Sequence, residues 1–249
     1  MSDPIRVHQY GNPSRPTLVL VHGVTDAGTT WPDAVTHWER DWHLLSVSLR
    51  GHGESPRFPA ARYGQMMQTL TDDLVTVLDG LPEPPVVVGH SLGGRTAVLA
   101  ALERPELVKA LVLEDPALAD TTPERRRETQ LWVVGVRGFA ARREQEVARQ
   151  LAAGWSATET QAWADSKEQM DLDMMANLDF GPMDQDAVLN QLTVPALVLA
   201  PRDSELVPAD GVVTNPLVRV QRLDGVGHCV RRDGPQAYFR LVDAFLASL

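Results

Sequence analysis

Basic charge is what this chain has too little of. Its 249 residues carry 23 Lys and Arg against 33 Asp and Glu, a formal charge of -10, and no basic run exceeds Arg125-Arg126-Arg127. A surface of that sign repels phosphate backbones and anionic lipid, so nucleic acid and membranes are excluded as expected partners. Cysteine is scarcer still: Cys229 stands alone, which excludes an intrachain disulfide. No apolar stretch reaches the roughly 18 to 20 residues that cross a bilayer. The opening Met1-Ser2-Asp3-Pro4 has neither the basic nor the apolar region of a secretion signal. These absences together lead us to expect a cytoplasmic protein, with the oligomeric state left open. Also missing are H-E-x-x-H, paired C-x-x-C, a phosphate-binding Walker loop and a dinucleotide glycine fingerprint, so no metal and no cofactor is expected. Repeats and low-complexity segments are lacking too, and one compact domain with an inserted segment is the expectation at this length.

What the chain does have is an alternation of short apolar runs with longer helical stretches. Ile5-Tyr10, Thr17-His22, His43-Leu49, Val86-His90, Ala110-Glu114, Ala196-Ala200 and Val218-Leu223 are the candidate strands. Most are apolar without alternation, the mark of strands covered on both faces, and with helices between them this predicts an α/β fold with a largely parallel sheet. Tyr63 to Asp79, Ser91 to Glu103 and Pro235 to Leu249 carry helical spacing. From about Ala117 to Leu192 the strand-like runs vanish, and Glu, Arg, Gln and Ala dominate. That block is expected to be a helical insertion (117–192) over the carboxyl ends of the strands, in a core made of 1–116 and 193–249. It holds Trp132, Trp155, Trp163, Met170, Met174, Met175 and Met183, some of which are expected to line an apolar pocket for a small molecule; Trp132, Trp155, Trp163 and Met174 are the named candidates.

Chemistry enters at Gly89-His90-Ser91-Leu92-Gly93-Gly94, directly after the run Val86-Val87-Val88. This is the pattern of a serine on a sharp strand-to-helix turn, where the flanking glycines avoid clashes between closely approaching backbones. A serine hydroxyl is a weak nucleophile until an imidazole takes its proton and a carboxylate orients that imidazole. Ser91 is therefore the candidate nucleophile. Of seven histidines, His228 in Asp224-Gly225-Val226-Gly227-His228 sits on a loop between the last strand and the last helix, and it is the candidate base. His90 is too close to Ser91 on the same turn and is expected to be a packing group. The acid has several candidates at strand ends: Asp203 is favoured by the chain order Ser91, Asp203, His228, while Asp115, Glu114 and Glu205 stay open. An oxyanion needs backbone N–H donors, for which Leu92 and Val24 are the candidates.

With these residues placed, the chain resembles the α/β-hydrolase family over nearly its whole length: the His22-Gly23 pair, the loop Arg50-Gly51-His52-Gly53-Glu54-Ser55, the Ser91 turn, Asp203 and Gly227-His228 all fall in the family's order. The resemblance implies an eight-stranded, mostly parallel sheet with a helical cap between its sixth and seventh strands. It implies that the Arg50 to Ser55 loop borders the site and that His52 is not the base. Relatives often place the acid four residues before a proline; Ser204 holds that position before Pro208 and Asp203 is five before it. After His22-Gly23 comes Val24-Thr25-Asp26-Ala27-Gly28 rather than the glycine run of lipases and esterases that take tertiary-alcohol esters. Members resembling epoxide hydrolases and haloalkane dehalogenases carry aspartate where Ser91 stands. The expected activity is hydrolysis of a carboxylic ester or lactone of an apolar small molecule. Carbon–carbon bond hydrolysis of dienoates and a ligand receptor on the same fold are the alternatives.

Overall fold

The four strands Thr17–Val21 (β2), Val86–His90 (β4), Ala110–Glu114 (β5) and Ala196–Pro201 (β6) are almost entirely buried. Their side chains divide by parity, as the two-residue strand period requires. Val19, Val21, Val87, Leu111, Leu113 and Val198 join one apolar core with Met66–Asp79 (α2) and Leu92–Glu103 (α3). Leu18, Leu20, Val86, Val88, Val112 and Leu197 join a second with Pro32–Trp38 (α1) and the last helix, Pro235–Leu246 (α10). Fully burying one such valine or leucine stabilises by about 1.5–3 kcal/mol, so a strand apolar on both faces is committed to a position between two helical layers.

This computed structural model describes residues 3–120, 122 and 131–249. Val7–Tyr10 (β1), His43–Val47 (β3) and Val218–Leu223 (β7) complete a seven-stranded sheet in the order β1-β3-β2-β4-β5-β6-β7. Only β1 is antiparallel, pairing Val7 with Val47 at the edge. Every expected strand is present, some shortened at an end, but the eighth strand implied by the family resemblance is not found among the described residues. The helical segment consequently lies between the fifth and sixth strands of this sheet, β5 and β6. The expected helix from Tyr63 starts late, because residues Ala60–Gln65, with Gly64 inside, form a 3-10 turn before α2.

The described part of the segment between β5 and β6 is helical at 131–137 (α4), Arg143–Ala152 (α5), Ala157–Glu168 (α6), Leu172–Ala176 (α7) and Gln185–Val188 (α8). The run Arg125-Arg126-Arg127 lies outside the described residues. Buried Arg95 on α3 fastens both ends of the segment: its guanidinium donates to the carbonyls of Ala117 and Ala119 at 3.0 and 3.1 Å and to those of Phe180, Gly181 and Pro182 at 2.7–3.3 Å. Burial lowers the Arg95 pKa to about 10 against the pull of Asp120 and Asp179. Val230–Asp233 forms a short helix, α9, just after His228. Among the described residues, no helix is long and apolar enough to cross a membrane.

Candidate active site

Ser91 joins β4 to α3 in a conformation that serine rarely adopts, φ 50° and ψ -112°. Such backbone costs about 1–3 kcal/mol and persists only where its surroundings enforce it. Here they do. The Ser91 N–H donates to the Glu114 carbonyl at 2.9 Å and its carbonyl accepts from Arg95 and Ala117 N–H, both at 3.0 Å. A Cβ at Gly89 would lie 2.7 Å from the Gly93 carbonyl oxygen, and one at Gly93 would run into the Val21 carbonyl. Only glycine lets the turn close against β2.

His228 meets its carboxylate at the neighbouring strand end. Its Nδ1 lies 2.6 Å from Asp115 Oδ2, and its side chain is 44% exposed while that of Asp115 is 3% exposed. Asp115 Oδ1 accepts from the Ser204 hydroxyl at 2.5 Å, and Ser204 Oγ accepts from Leu206 N–H at 3.2 Å. Asp115 is itself strained, at φ 37°, and is held by its N–H to the Leu199 carbonyl at 2.8 Å. The favoured expectation for the acid therefore needs correcting: Asp203 is exposed to solvent, because the chain turns sharply after β6, Ser204 N–H bonding back to Pro201, and it is Ser204 that faces the end of β5. Asp115, one of the open alternatives, takes the contact with His228. Glu205 is exposed, and its carbonyl accepts from Gln185.

Glu114 points the other way, as adjacent strand residues must. Its Oε1 accepts the Arg231 N–H at 2.7 Å, and burial raises its pKa against the pull of Arg231. It belongs to a buried ion cluster that sequence inspection missed. Arg231 and Arg232 both hold Glu159 of α6, the first through an ion pair with Oε1 and the second at 2.9 Å through Oε2. Arg232 also reaches Asp26 at 2.8 Å, and Lys167 of α6 reaches the same carboxylate at 2.9 Å. Burial pushes the Asp26 carboxyl up, but Arg232 and Lys167 outweigh it and hold it well below the usual carboxylate range. Ser156 caps α6, accepting from Glu159 N–H at 3.2 Å, and this serine and glutamate have the spacing of a capping box. The Glu159 carboxylate is engaged instead by the two arginines.

His90, His22 and His52 are buried, neutral braces. His90 Nε2 donates to the His228 carbonyl at 3.1 Å, tying the His228 loop to the residue before Ser91, and burial drives its pKa well down. His22 donates from Nδ1 to the Gly23 carbonyl at 2.7 Å and accepts the Leu49 N–H on Nε2 at 3.0 Å. Burial, then His52, lowers its pKa to about 3; burial lowers that of His52 to about 4. Arg50 pins the Arg50 to Ser55 loop through Asp73 at 2.8 Å.

Val24 lies in the loop after β2, and its N–H makes no protein hydrogen bond among the described residues. Leu92 N–H opens α3, where the first N–H groups of a helix have no intrahelical acceptor. The candidate pocket residues are placed differently from expectation. Trp155 stacks over Arg232 and donates to Asp233, Trp163 lies 4.9 Å from the Lys167 ammonium, and Met174 is fully buried with its sulfur against Gly51. These side chains pack the ion cluster and the Arg50 loop. Trp132 is 43% exposed. Among the described residues no group of three or more His, Cys, Asp or Glu is arranged to hold a metal ion.

Comparison with known proteins agrees with this architecture. Residues 18–241 match the model of a family described as "Alpha/beta hydrolase family". A mouse protein, "sn-1-specific diacylglycerol lipase ABHD11", is 40% identical over 115 residues, 45% of this chain and 36% of that relative, so the match spans little more than a third of its length. "Putative carbamate hydrolase RutD" of Pseudomonas syringae is 28% identical over 258 residues, 97% of both chains. Among solved structures, a thermophilic esterase from Thermogutta terrifontis superposes with a TM-score of 0.75 at 21% identity, covering 98% of this chain and 93% of that one.

Proposed function

The chain belongs to the alpha/beta hydrolase family, and from that premise we propose that it is a serine hydrolase cleaving a carboxylic ester or lactone of an apolar small molecule through an acyl-enzyme. The observation that carries this reading is the 2.6 Å contact between His228 Nδ1 and buried Asp115. It leaves Nε2 as the ring nitrogen to take the Ser91 proton, on a loop that His90, the residue before Ser91, holds through the His228 carbonyl at 3.1 Å.

In this mechanism Ser91 Oγ attacks the substrate carbonyl as its proton passes to His228 Nε2. Asp115 stabilises the imidazolium and fixes its Nδ1–H tautomer. The oxyanion is met by the N–H groups of Val24 and Leu92, and each such donor is worth about 2.7–4 kcal/mol of barrier. The tetrahedral species collapses as His228 returns the proton to the leaving alkoxide. Water then repeats the sequence on the acyl-enzyme, giving its proton to His228 and releasing the acid and Ser91. Residues 117–192 act as the cap over a core of 1–116 and 193–249. A carbamate is the second substrate class, supported by the name of the relative aligned over 97% of both chains.

A panel of p-nitrophenyl butyrate, a γ-lactone, an alkyl carbamate and a dienoate, run with Ser91→Ala as blank, tests the proposal. Fluorophosphonate labelling of Ser91 with ester or lactone turnover absent from the blank is expected. Turnover surviving in Ser91→Ala refutes a serine nucleophile; labelling without turnover would favour a receptor, and dienoate cleavage alone a carbon–carbon hydrolase.

A further inference from the structure

The loop that carries Val24 is not stable on its own terms. Thr25 has φ 69°, a left-handed conformation that a β-branched residue strongly disfavours. Relaxing it to an ordinary φ means a rotation of roughly 130°, which would redirect the peptide planes on either side. Next to Thr25 the loop's own restraint is one turn, Asp26 N–H to the Gly23 carbonyl at 3.2 Å, a carbonyl that also accepts from His22 Nδ1 at 2.7 Å. The contacts on the Thr25 carbonyl come from α6, about 140 residues later. The Thr25 carbonyl accepts from Lys167 Nζ at 3.0 Å and lies 2.8 Å from Ser166 Oγ, whose single proton is shared with the Trp163 carbonyl at 2.7 Å. The same ammonium bonds Asp26 at 2.9 Å, and Arg232, four residues after His228, bonds the other Asp26 oxygen at 2.8 Å. Thr25, Asp26, Ser166 and Lys167 are all buried. Burying an ammonium is costly unless it is fully paired, and packing α6 would need only apolar side chains. This lysine is placed where it fixes one carbonyl and one carboxylate of the strained loop.

We infer that Ser166 and Lys167 are positioning residues for the Val24 N–H, so that seating α6 on the core completes the oxyanion site as well as covering the substrate. The inference rests on the serine hydrolase reading. It implies that loosening these two contacts slows the chemical step and leaves substrate binding nearly intact, because substrate and tetrahedral species differ at the oxygen the Val24 N–H meets.

The test compares Ser166→Ala, Lys167→Met and Arg143→Ala in p-nitrophenyl butyrate hydrolysis, with inhibition by butylboronic acid, whose Ser91 adduct is tetrahedral. Arg143 pairs with Asp165 and Glu168 on the outer side of the same helix and does not touch the loop. Lys167→Met is expected to lower kcat about 10- to 100-fold, as small displacements of catalytic groups do, with KM changed less than about threefold. Boronate affinity falls by the same factor, while Arg143→Ala stays within about twofold on both readouts. Should Lys167→Met fail to fold, Ser166→Ala, which removes the neutral hydroxyl shared by the Thr25 and Trp163 carbonyls, carries the test with a smaller drop in kcat and a matching loss of boronate affinity. Ser91-dependent turnover with unchanged kcat in the Ser166 and Lys167 variants overturns the inference alone. So does an equal loss in Arg143→Ala, which would mark a general weakening of α6. Absence of any Ser91-dependent turnover in the wild type overturns the underlying reading and the inference with it.

Discussion

Acid should loosen this fold through two buried histidines. His22 and His52 are fully buried with ring centroids 4.9 Å apart, and their pKa values are lowered from 6.5 to about 3 and about 4. Unfolded, both would titrate near 6.5, so between that pH and the folded values the unfolded chain binds more protons than the folded one. The stability they contribute by staying neutral is complete above pH 6.5 and is lost as pH falls toward 3 and 4. At pH 5 each has lost about 2 kcal/mol, roughly 1.4 kcal/mol for every pH unit traversed below 6.5, or about 4 kcal/mol together. That is a large fraction of the 5–15 kcal/mol that typically holds a domain folded. Urea unfolding at pH 8 and pH 5 measures the loss for the whole protein, and repeating it on His52→Gln isolates one histidine. The variant should show a pH 8 to pH 5 loss smaller by about 2 kcal/mol than wild type. Equal losses in the two proteins would refute the linkage.

Removing the hydroxyl of Ser204 leaves Asp115 Oδ1 without its 2.5 Å donor; Ser204→Ala is expected to lower kcat about tenfold with KM little changed, a loss in the range of one hydrogen bond to a charged group. Glu159→Ala strands Arg231 and Arg232, both buried, without a shared carboxylate, and should cost about 3–5 kcal/mol in denaturant unfolding. Two glycines give opposite outcomes: Gly93→Ala collides with the Val21 backbone and should fail to accumulate as folded protein, whereas Gly135 in α4 has open space around it, so Gly135→Ala should raise stability by about 0.5–1 kcal/mol.

Much of the sheet and the Ser91 turn could be read from the sequence because each depends on local signals. A strand buried on both faces must be apolar throughout, and Val86-Val87-Val88 and Ala110 to Leu113 are. Gly89, Gly93 and Gly94 mark a place where two backbones nearly touch. The acid was ambiguous for an equally local reason. Glu114 and Asp115 are neighbours at one strand end and project to opposite sides, and only the third dimension assigns Asp115 to His228 and Glu114 to Arg231. Asp203 looked better in chain order, but the turn after β6 sends it into solvent and brings Ser204 to face β5. The ion cluster left no sequence pattern, since Asp26, Glu159, Lys167 and Arg232 come from segments that meet only after folding. Trp155 and Trp163 suggested an apolar pocket, and they cover the cations of that cluster.

The assignment of Asp115 to His228 is the point on which the account turns, and steady-state hydrolysis of p-nitrophenyl butyrate by Asp115→Asn and Asp203→Asn tests it most directly. With Asp115 orienting the imidazole, Asp115→Asn should hold His228 in the wrong tautomer and lower kcat about 10⁴-fold, while Asp203→Asn stays within about twofold of wild type. A collapse of activity in Asp203→Asn with Asp115→Asn near wild type would contradict it.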